Sequence, residues 1–208
     1  MEIFLGLVFS YLLGSIPTAY LFGKALKGID IRQHGSGNVG ATNAFRILGK
    51  GPGTVVLLLD ILKGALAITV VGNFFHFDKV YLRLLLGVMV VIGHNWTVFL
   101  QFKGGKGIAT SLGVLIGLAI QFESLRIVLT VTLVAWIIPF LITGYVSLSS
   151  MIAGIVLPLA MLFTKQTPEI LALGAVFCTF VLVRHIPNMK RLLAGQEKQV
   201  NFPFKRNK

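Results

Sequence analysis

His34-Gly-Ser-Gly-Asn-Val-Gly-Ala-Thr-Asn-Ala-Phe-Arg46 is the stretch on which the fold of this 208-residue chain turns. Its first seven residues contain Gly35-Ser-Gly-Asn-Val-Gly40, which spells the dinucleotide fingerprint G-x-G-x-x-G, and Asp60 stands near the acidic position that such a site uses. The fingerprint carries meaning only with a strand before it and a βαβ unit around it. Here the flanks are two long apolar runs, about 3–22 and 52–73, and Asp60 lies inside the second. A run of about 20 apolar residues spans a bilayer. The stretch is therefore a polar loop between membrane helices, and the nucleotide fold is set aside.

The same residues have a chemistry of their own. Glycines at 35, 37 and 40 allow backbone N–H groups to converge where a Cβ would obstruct them, and such a nest takes an anion. Ser36, Asn38, Thr42 and Asn43 add small hydrogen-bonding side chains, and Arg46 adds a cation. A helix opening near Thr42 would bring its positive N-terminal end to the same place. The loop is read as a phosphate or acyl-phosphate cradle. An ordinary glycine-rich connection between helices is the other reading.

Composition points the same way as the flanks. Hydrophobic residues make up 55% of the chain and the mean hydropathy is +0.85, far from a soluble domain. The apolar runs cover the whole length, so one membrane domain, 1–208, is expected, with 198–208 a disordered tail. The net charge of +12 could suggest nucleic acid, but the cations collect in short segments between apolar runs, as membrane topology requires. No basic helix interleaved with aromatics is present, and no nucleic-acid partner is expected. The single cysteine, Cys178, excludes an intramolecular disulfide framework and a thiolate zinc cluster. The N-terminus has no basic n-region and reads as a first span rather than a cleaved signal.

Seven spans are expected, in this order: 3–22, with a kink at Gly14-Ser-Ile-Pro17; 52–73; 80–101; a short fourth ending near Gln121; 125–143; 145–163; and 169–186, then a basic tail. The fourth to sixth are closely spaced, so five or six spans are the alternatives. With seven, Lys24, Lys27, Arg32, Arg46, Lys50, Lys103, Lys106, Arg184 and the tail cations share one side. Lys79, Arg83, Arg126 and Lys165 share the other, near Glu2, Asp78, Glu123 and Glu169. The first side is expected to be cytoplasmic and the N-terminus outside. All glycine-rich polar segments then fall on the cytoplasmic face.

Two further clusters carry possible chemistry. Lys103-Gly-Gly-Lys-Gly-Ile-Ala-Thr110 opens the fourth span. It is not a P-loop, because Gly107 stands where Ser or Thr must hold magnesium. Lys106 with Gly104, Gly105 and Gly107 nevertheless offers charge and N–H groups at a helix N-terminus, suited to a phosphomonoester; a basic topological loop is the alternative. After the last span come Arg184-His185-Ile-Pro-Asn188-Met-Lys-Arg191 and Gly195-Gln-Glu197. His185 is a candidate base near neutral pH, and Asn188 and Arg191 are candidate phosphate or hydroxyl ligands; an interfacial cap with snorkelling cations is the alternative. Inside the spans, His94 and Asn95 read equally as a buried pair or a catalytic one. Asp60 and Lys63, one turn apart, are expected to pair structurally facing the bundle. Ser147, Ser149 and Ser150 offer hydroxyls to a pocket or small surfaces to helix packing.

Several chemistries are missing. No carboxylate or histidine cluster has metal-ligand spacing on the cytoplasmic side, there is no G-x-S-x-G elbow, and no histidine is followed five residues later by aspartate. The histidine–aspartate motif of acyl-CoA glycerolipid acyltransferases is thus absent.

Taken together and in order, three stretches resemble the bacterial membrane acyl-phosphate:glycerol-3-phosphate acyltransferase family, PlsY. They are Gly35–Asn43, Gly93-His-Asn-Trp through Phe102-Lys-Gly-Gly-Lys-Gly-Ile-Ala-Thr110, and His185–Arg191 with Gly195-Gln-Glu197. Gly14-Ser-Ile-Pro17, Asp60-Ile-Leu-Lys63 and Gly144-Tyr-Val-Ser147 fit as well. The resemblance implies transfer of a fatty acyl group from acyl phosphate to the sn-1 hydroxyl of glycerol 3-phosphate, giving lysophosphatidic acid and phosphate at the cytoplasmic membrane. It implies a catalytic set of Ser36, Lys106, His185 and Asn188. The expected substrate-binding residues are Gly35, Gly37, Asn38, Gly40, Thr42, Asn43, Arg46, Gly104, Gly105, Gly107, Ser150 and Arg191. The Lys106 loop is similar to a glycerol-phosphate site, and the Ser36 loop suits the acyl-phosphate head. An activated acyl donor needs neither a covalent nucleophile nor a metal, so no cofactor is expected, and a monomer is expected. A transporter or flippase of a phosphorylated solute is the competing class. It is disfavoured because the polar motifs crowd one face and no repeat marks a midplane site.

Overall fold

The computed structural model describes residues 1–200, and all its regular structure is helical. Of the expected disordered tail, 201–208 lie outside the described residues. Gln199 and Val200 are held, donating to the carbonyls of Thr143 and Gly144.

The helices group into two compact units, Met1–Leu125 and a second from Arg126 onward. In the first unit, α1 (Glu2–Ser15) and α2 (Thr18–Lys27) are two halves of one apolar segment. The break falls at Ile16 and Pro17, where the sequence predicts a kink. Proline has no N–H to donate to the Leu13 carbonyl, which takes that of Ile16 instead, and the non-helical backbone at Ile16 and Pro17 strips the Ser15 and Ile16 carbonyls of their helical partners. Other spans supply replacements: the Thr97 hydroxyl donates to the Ser15 carbonyl at 2.5 Å, and the Lys63 ammonium to the Ile16 carbonyl at 3.2 Å, beside the Thr18 N–H at 3.1 Å. In a bilayer such replacement is obligatory.

A short amphipathic helix, α3 (Ala41–Leu48), succeeds the polar loop and leads into α4 (Lys50–Leu66). The second apolar segment then widens to a π turn, Ala67–Val71, before α5 (Gly72–Phe74), a feature not expected from the sequence. The guanidinium of Arg83, itself buried, donates to the Ile68 carbonyl inside this turn at 2.6 Å and to the Asn73 side chain at 2.8 Å. The third segment is α6 (Val80–Asn95), which ends six residues before the expected boundary; a 3-10 turn, Val98–Leu100, completes it. Then comes α7 (Ile108–Gln121). Close helix packing rests on glycines. A Cβ on Gly64 of α4 would strike the Thr110 carbonyl, and one on Gly113 of α7 would strike the Ile61 carbonyl. Small residues of this kind let membrane helices approach backbone to backbone.

The second unit holds α8 (Leu125–Thr143) from its second residue onward, α9 (Val146–Phe163) and α10 (Pro168–Leu193). The expected end of the last span at 186 is corrected, because α10 runs through Pro187 to Leu193. Proline keeps a helical φ and removes one main-chain bond, and the helix beyond it is held through Asn188 and Arg191, both bonded to Glu197. Among the described residues, six segments are long and apolar enough to cross a membrane, and α7 is a shorter apolar helix.

Candidate functional site

In the first unit, the loop after α2 is built in layers. At its base, Ala19, Ile31, Val39, Ala44, Leu48, Val56 and Leu100 form one buried apolar cluster. Leu100 belongs to the segment leading to Lys103–Gly107, so both glycine loops lie over connected packing. Above this base, Asp30 caps a 3-10 turn, Ile31–Gln33. Its carboxylate accepts from the Arg32 backbone at 3.0 Å and from the guanidinium at 2.7 Å, and these bonds hold its pKa down to about 2. The Arg32 guanidinium lies over the Tyr20 ring, 5.3 Å from its centroid.

Asn43 ties the loop together. It is 1% exposed, and its side-chain oxygen accepts the Ser36 N–H at 2.9 Å. Its amide nitrogen donates to the carbonyls of His34 at 3.0 Å and Ile31 at 3.3 Å. Gly35 and Gly37 have φ of 65° and 71°, a backbone region that side chains resist, and a Cβ on Gly35 would strike the Asn43 side chain. The loop is therefore pinned from α3, and Asn43 acts as its internal brace rather than as a presented ligand group.

The amide nest expected from the glycines is only partly open. The N–H of Ser36 goes to Asn43, and that of Gly37 to the His34 carbonyl at 3.0 Å. What the loop presents instead is side chains. Those of Ser36, Asn38, Thr42 and Arg46 make no hydrogen bond or ion pair among the described residues, and Ser36, Thr42 and Arg46 are exposed. Helix α3 begins at Ala41, with extended Gly40 as its N-cap, one residue from the expected start.

The second glycine loop shows the same division. The N–H of Gly104 donates to the Asn95 carbonyl at 3.1 Å and that of Gly105 to the His94 carbonyl at 2.9 Å, so neither is left to cradle an anion. Gly107, with φ of 79°, is the N-cap of α7, and half-buried Lys106 precedes it. Charge and a helix N-terminus remain as the anion-attracting features there.

In the second unit, Glu197 gathers the residues that the sequence singled out. A left-handed Gly195 turns the chain after α10 and brings this carboxylate back on the helix. One oxygen accepts from Asn188 at 2.6 Å and from Ser147 of α9 at 2.8 Å; the other accepts from the Arg191 guanidinium at 2.7 Å. Burial pushes the Glu197 carboxyl up, but the bonds from Asn188, Arg191 and Ser147 outweigh it and hold the group below its ordinary value. Glu197 was not among the expected site residues. Its signal was being, with Asp30, one of two acidic residues among the segments expected to share the basic side. One turn before Asn188, His185 is 2% exposed and its Nδ1 lies 2.7 Å from the Val181 carbonyl. A carbonyl only accepts, so Nδ1 carries the proton and Nε2 is the basic nitrogen. Ser150 is in helix packing: its hydroxyl donates to the Val146 carbonyl at 2.7 Å and accepts from Trp136 Nε1 at 3.2 Å.

Among the described residues, six membrane-length segments and wholly helical regular structure define an integral membrane protein. The family profile described as glycerol-3-phosphate acyltransferase matches residues 4–195, and the chain belongs to that family. A relative from Bacillus subtilis, named glycerol-3-phosphate acyltransferase, is 45% identical over 202 residues, covering 97% of this chain and 100% of its own length. One of the same name from Fusobacterium nucleatum is 38% identical over 203 residues, with the same coverage. The crystal structure of PlsY (YgiH), an integral membrane glycerol 3-phosphate acyltransferase, in its glycerol 3-phosphate form superposes with a TM-score of 0.87 at 37% identity. It covers 97% of this chain and 96% of its own. The lysophosphatidic acid form gives 0.84 at 36%.

Proposed function

We propose that this chain transfers a fatty acyl group from acyl phosphate to the sn-1 hydroxyl of glycerol 3-phosphate, releasing lysophosphatidic acid and inorganic phosphate. Acylation of glycerol 3-phosphate is the activity of the family, and acyl phosphate is the donor that the residues suit. The observation that carries the reading is the segment at 35–46, where a buried brace fixes the loop and the side chains of Ser36, Asn38, Thr42 and Arg46 have no hydrogen-bond or ion-pair partner among the described residues. The acceptor hydroxyl attacks the acyl carbonyl carbon, a new ester C–O bond forms, and the C–O bond to the leaving phosphate breaks. With so good a leaving group, alignment and charge stabilisation supply most of the rate. Ser36 and Arg46 hold the acyl-phosphate head, Lys106 the glycerol phosphate. The hydroxyl proton goes either to His185 Nε2 or to the departing phosphate.

The orientation is part of the proposal. Seven spans, counting short α7 at about 21 Å, leave the basic segments on one side, which positive-inside topology makes cytoplasmic in the cell membrane. The protein works as a monomer and as one domain. An alkaline phosphatase fusion after Leu193 is expected to be inactive, and an active one would reverse the orientation.

Phosphate release from palmitoyl phosphate by the purified protein tests the reaction. Release is expected to depend on glycerol 3-phosphate, to ignore EDTA and to have no counterpart with acyl-CoA. Ser36→Ala and His185→Ala are each expected to lower turnover at least about 100-fold. A wild-type pH profile whose acidic limb disappears in His185→Ala assigns the proton to His185, and a limb that both share assigns it to phosphate. Both variants turning over normally would discard the site assignment, and release without acceptor would make the protein a phosphatase.

A further inference from the structure

Four ionisable or hydroxyl side chains in the first unit form a buried network that the proposed reaction does not use. Asp60 Oδ1 accepts from the Thr18 hydroxyl at 2.7 Å, lies 2.9 Å from the Lys63 ammonium, and lies 3.7 Å from His94 Nδ1. Their exposures are 1% for Asp60, 7% for Thr18, 4% for Lys63 and 7% for His94. Lys63 also holds the Ile16 carbonyl at the break between α1 and α2. On its far side His94 meets the second glycine loop. Its carbonyl takes the Gly105 N–H at 2.9 Å, and a Cβ on Gly105 would strike His94 Nε2. The network thus runs from α2, through α4 and the last turn of α6, to the residue next to Lys106.

Burying charges in a membrane bundle is costly, and for stability alone well-packed apolar residues serve as well or better. A charged network between three helices and a loop has a different use, since hydrogen-bonded partners fix orientation more narrowly than apolar contacts do. The imidazole is wedged between Asp60 and Gly105, so its ring angle sets where the Gly104–Lys106 backbone lies. Main-chain bonds at Gly104 and Gly105 hold the loop to α6; the wedge decides its height above the helix end.

Building on the acyltransferase reading, we infer that Asp60, Lys63 and His94 are positioning residues that set the Lys106 loop for the glycerol phosphate. They touch neither substrate. Rotating or removing the imidazole lets the loop settle and misplaces Lys106, which weakens capture of one substrate and leaves the other alone.

Steady-state kinetics of the full chain in detergent, with palmitoyl phosphate and glycerol 3-phosphate varied in turn, test this. For His94→Leu and Asp60→Asn, KM for glycerol 3-phosphate is expected to rise at least tenfold, while KM for palmitoyl phosphate stays within twofold. His94→Gln, whose longer side-chain amide reaches the place of Nε2 against Gly105, is expected to fall between His94→Leu and wild type. A purely structural role would lower active protein and leave both KM values unmoved, since KM does not depend on the folded fraction. That result, or equal rises in both, overturns the inference. Should the charge variants yield no folded protein, Thr18→Val, which removes one Asp60 donor at constant volume, carries the same split at about threefold, and an unmoved value there overturns it. Wild-type protein without acceptor-dependent release would instead reject the acyltransferase reading itself.

Discussion

Asn43→Leu is expected to lower turnover about 100-fold or more, the scale on which a displacement of roughly 1 Å at a reacting group is felt. The leucine removes the acceptor for the Ser36 N–H and the donor for the His34 and Ile31 carbonyls together. The Ser36 N–H loses its acceptor, at a cost of about 1–3 kcal/mol, while the His34 and Ile31 carbonyls keep only their turn partners, the N–H groups of Gly37 and His34. These losses fall on the loop, because α1, α4, α6 and α7 pack without it. The loop therefore lets go of Ser36 while the unit stays folded. Limited proteolysis should show new cleavage within residues 28–40, with unfolding of the remainder little changed. An Asn43→Leu protein with normal turnover and a protected loop would show that Asn43 is no brace. Asn43→Asp is the finer probe: it keeps the acceptor for Ser36, loses both donors, and should fall between leucine and wild type.

Glu197→Ala should produce the second large effect, in stability rather than in chemistry. It leaves Asn188, Ser147 and Arg191 without the carboxylate they share, two of them buried. Hydrogen bonds to a charged group contribute about 1.5–3 kcal/mol each, and the half-exposed Arg191 bond counts for less. A loss of about 3 kcal/mol is expected in thermal unfolding in detergent. The acid dependence comes from the direction of the Glu197 shift. Its carboxyl titrates lower in the folded protein than in the unfolded chain, so its contribution is complete above the ordinary carboxylate value of about 4.3. It disappears as pH falls through the lowered value. The gap in unfolding midpoint between wild type and Glu197→Gln should therefore be widest near neutral pH and close on acidification. A gap that stays constant down to pH 3 would show that the charge of Glu197 contributes nothing.

Some of this was legible in the residues and some was not, for physical reasons. The kink at Gly14-Ser-Ile-Pro17 could be foreseen because proline lacks a donor in any context, and the 125–143 span because its ends are turns with no competing signal. Proline misled at 187: it reads as a stop, yet at an exposed helix position it removes only one bond, and Glu197 secures the turns of helix beyond it. The π turn at Ala67–Val71 has no signature of its own, since those residues suit any apolar helix. Arg83 was the available clue, because a cation four residues into an apolar run must find carbonyls. Within the candidate site, types were legible and roles were not. Asn38 and Asn43 look alike in sequence, and only the fold makes one a brace and leaves the other without a partner among the described residues. The Gly104 and Gly105 amides looked like anion donors until their carbonyl partners, set by the end of α6, were in view.

The interrupted first segment also constrains how the protein is made. Its Ser15 carbonyl is satisfied by Thr97, 82 positions further along the chain, and its Ile16 carbonyl takes Lys63, 47 positions further, beside the local N–H of Thr18. A ribosome delivers the first segment to the membrane well before either partner has been synthesised. Until then the interruption has no stable place in hydrocarbon, and the nascent segment must wait as a straight helix, at the membrane surface, or beside the insertion machinery. A segment translated ahead of its partners is thus among the last to take its final shape.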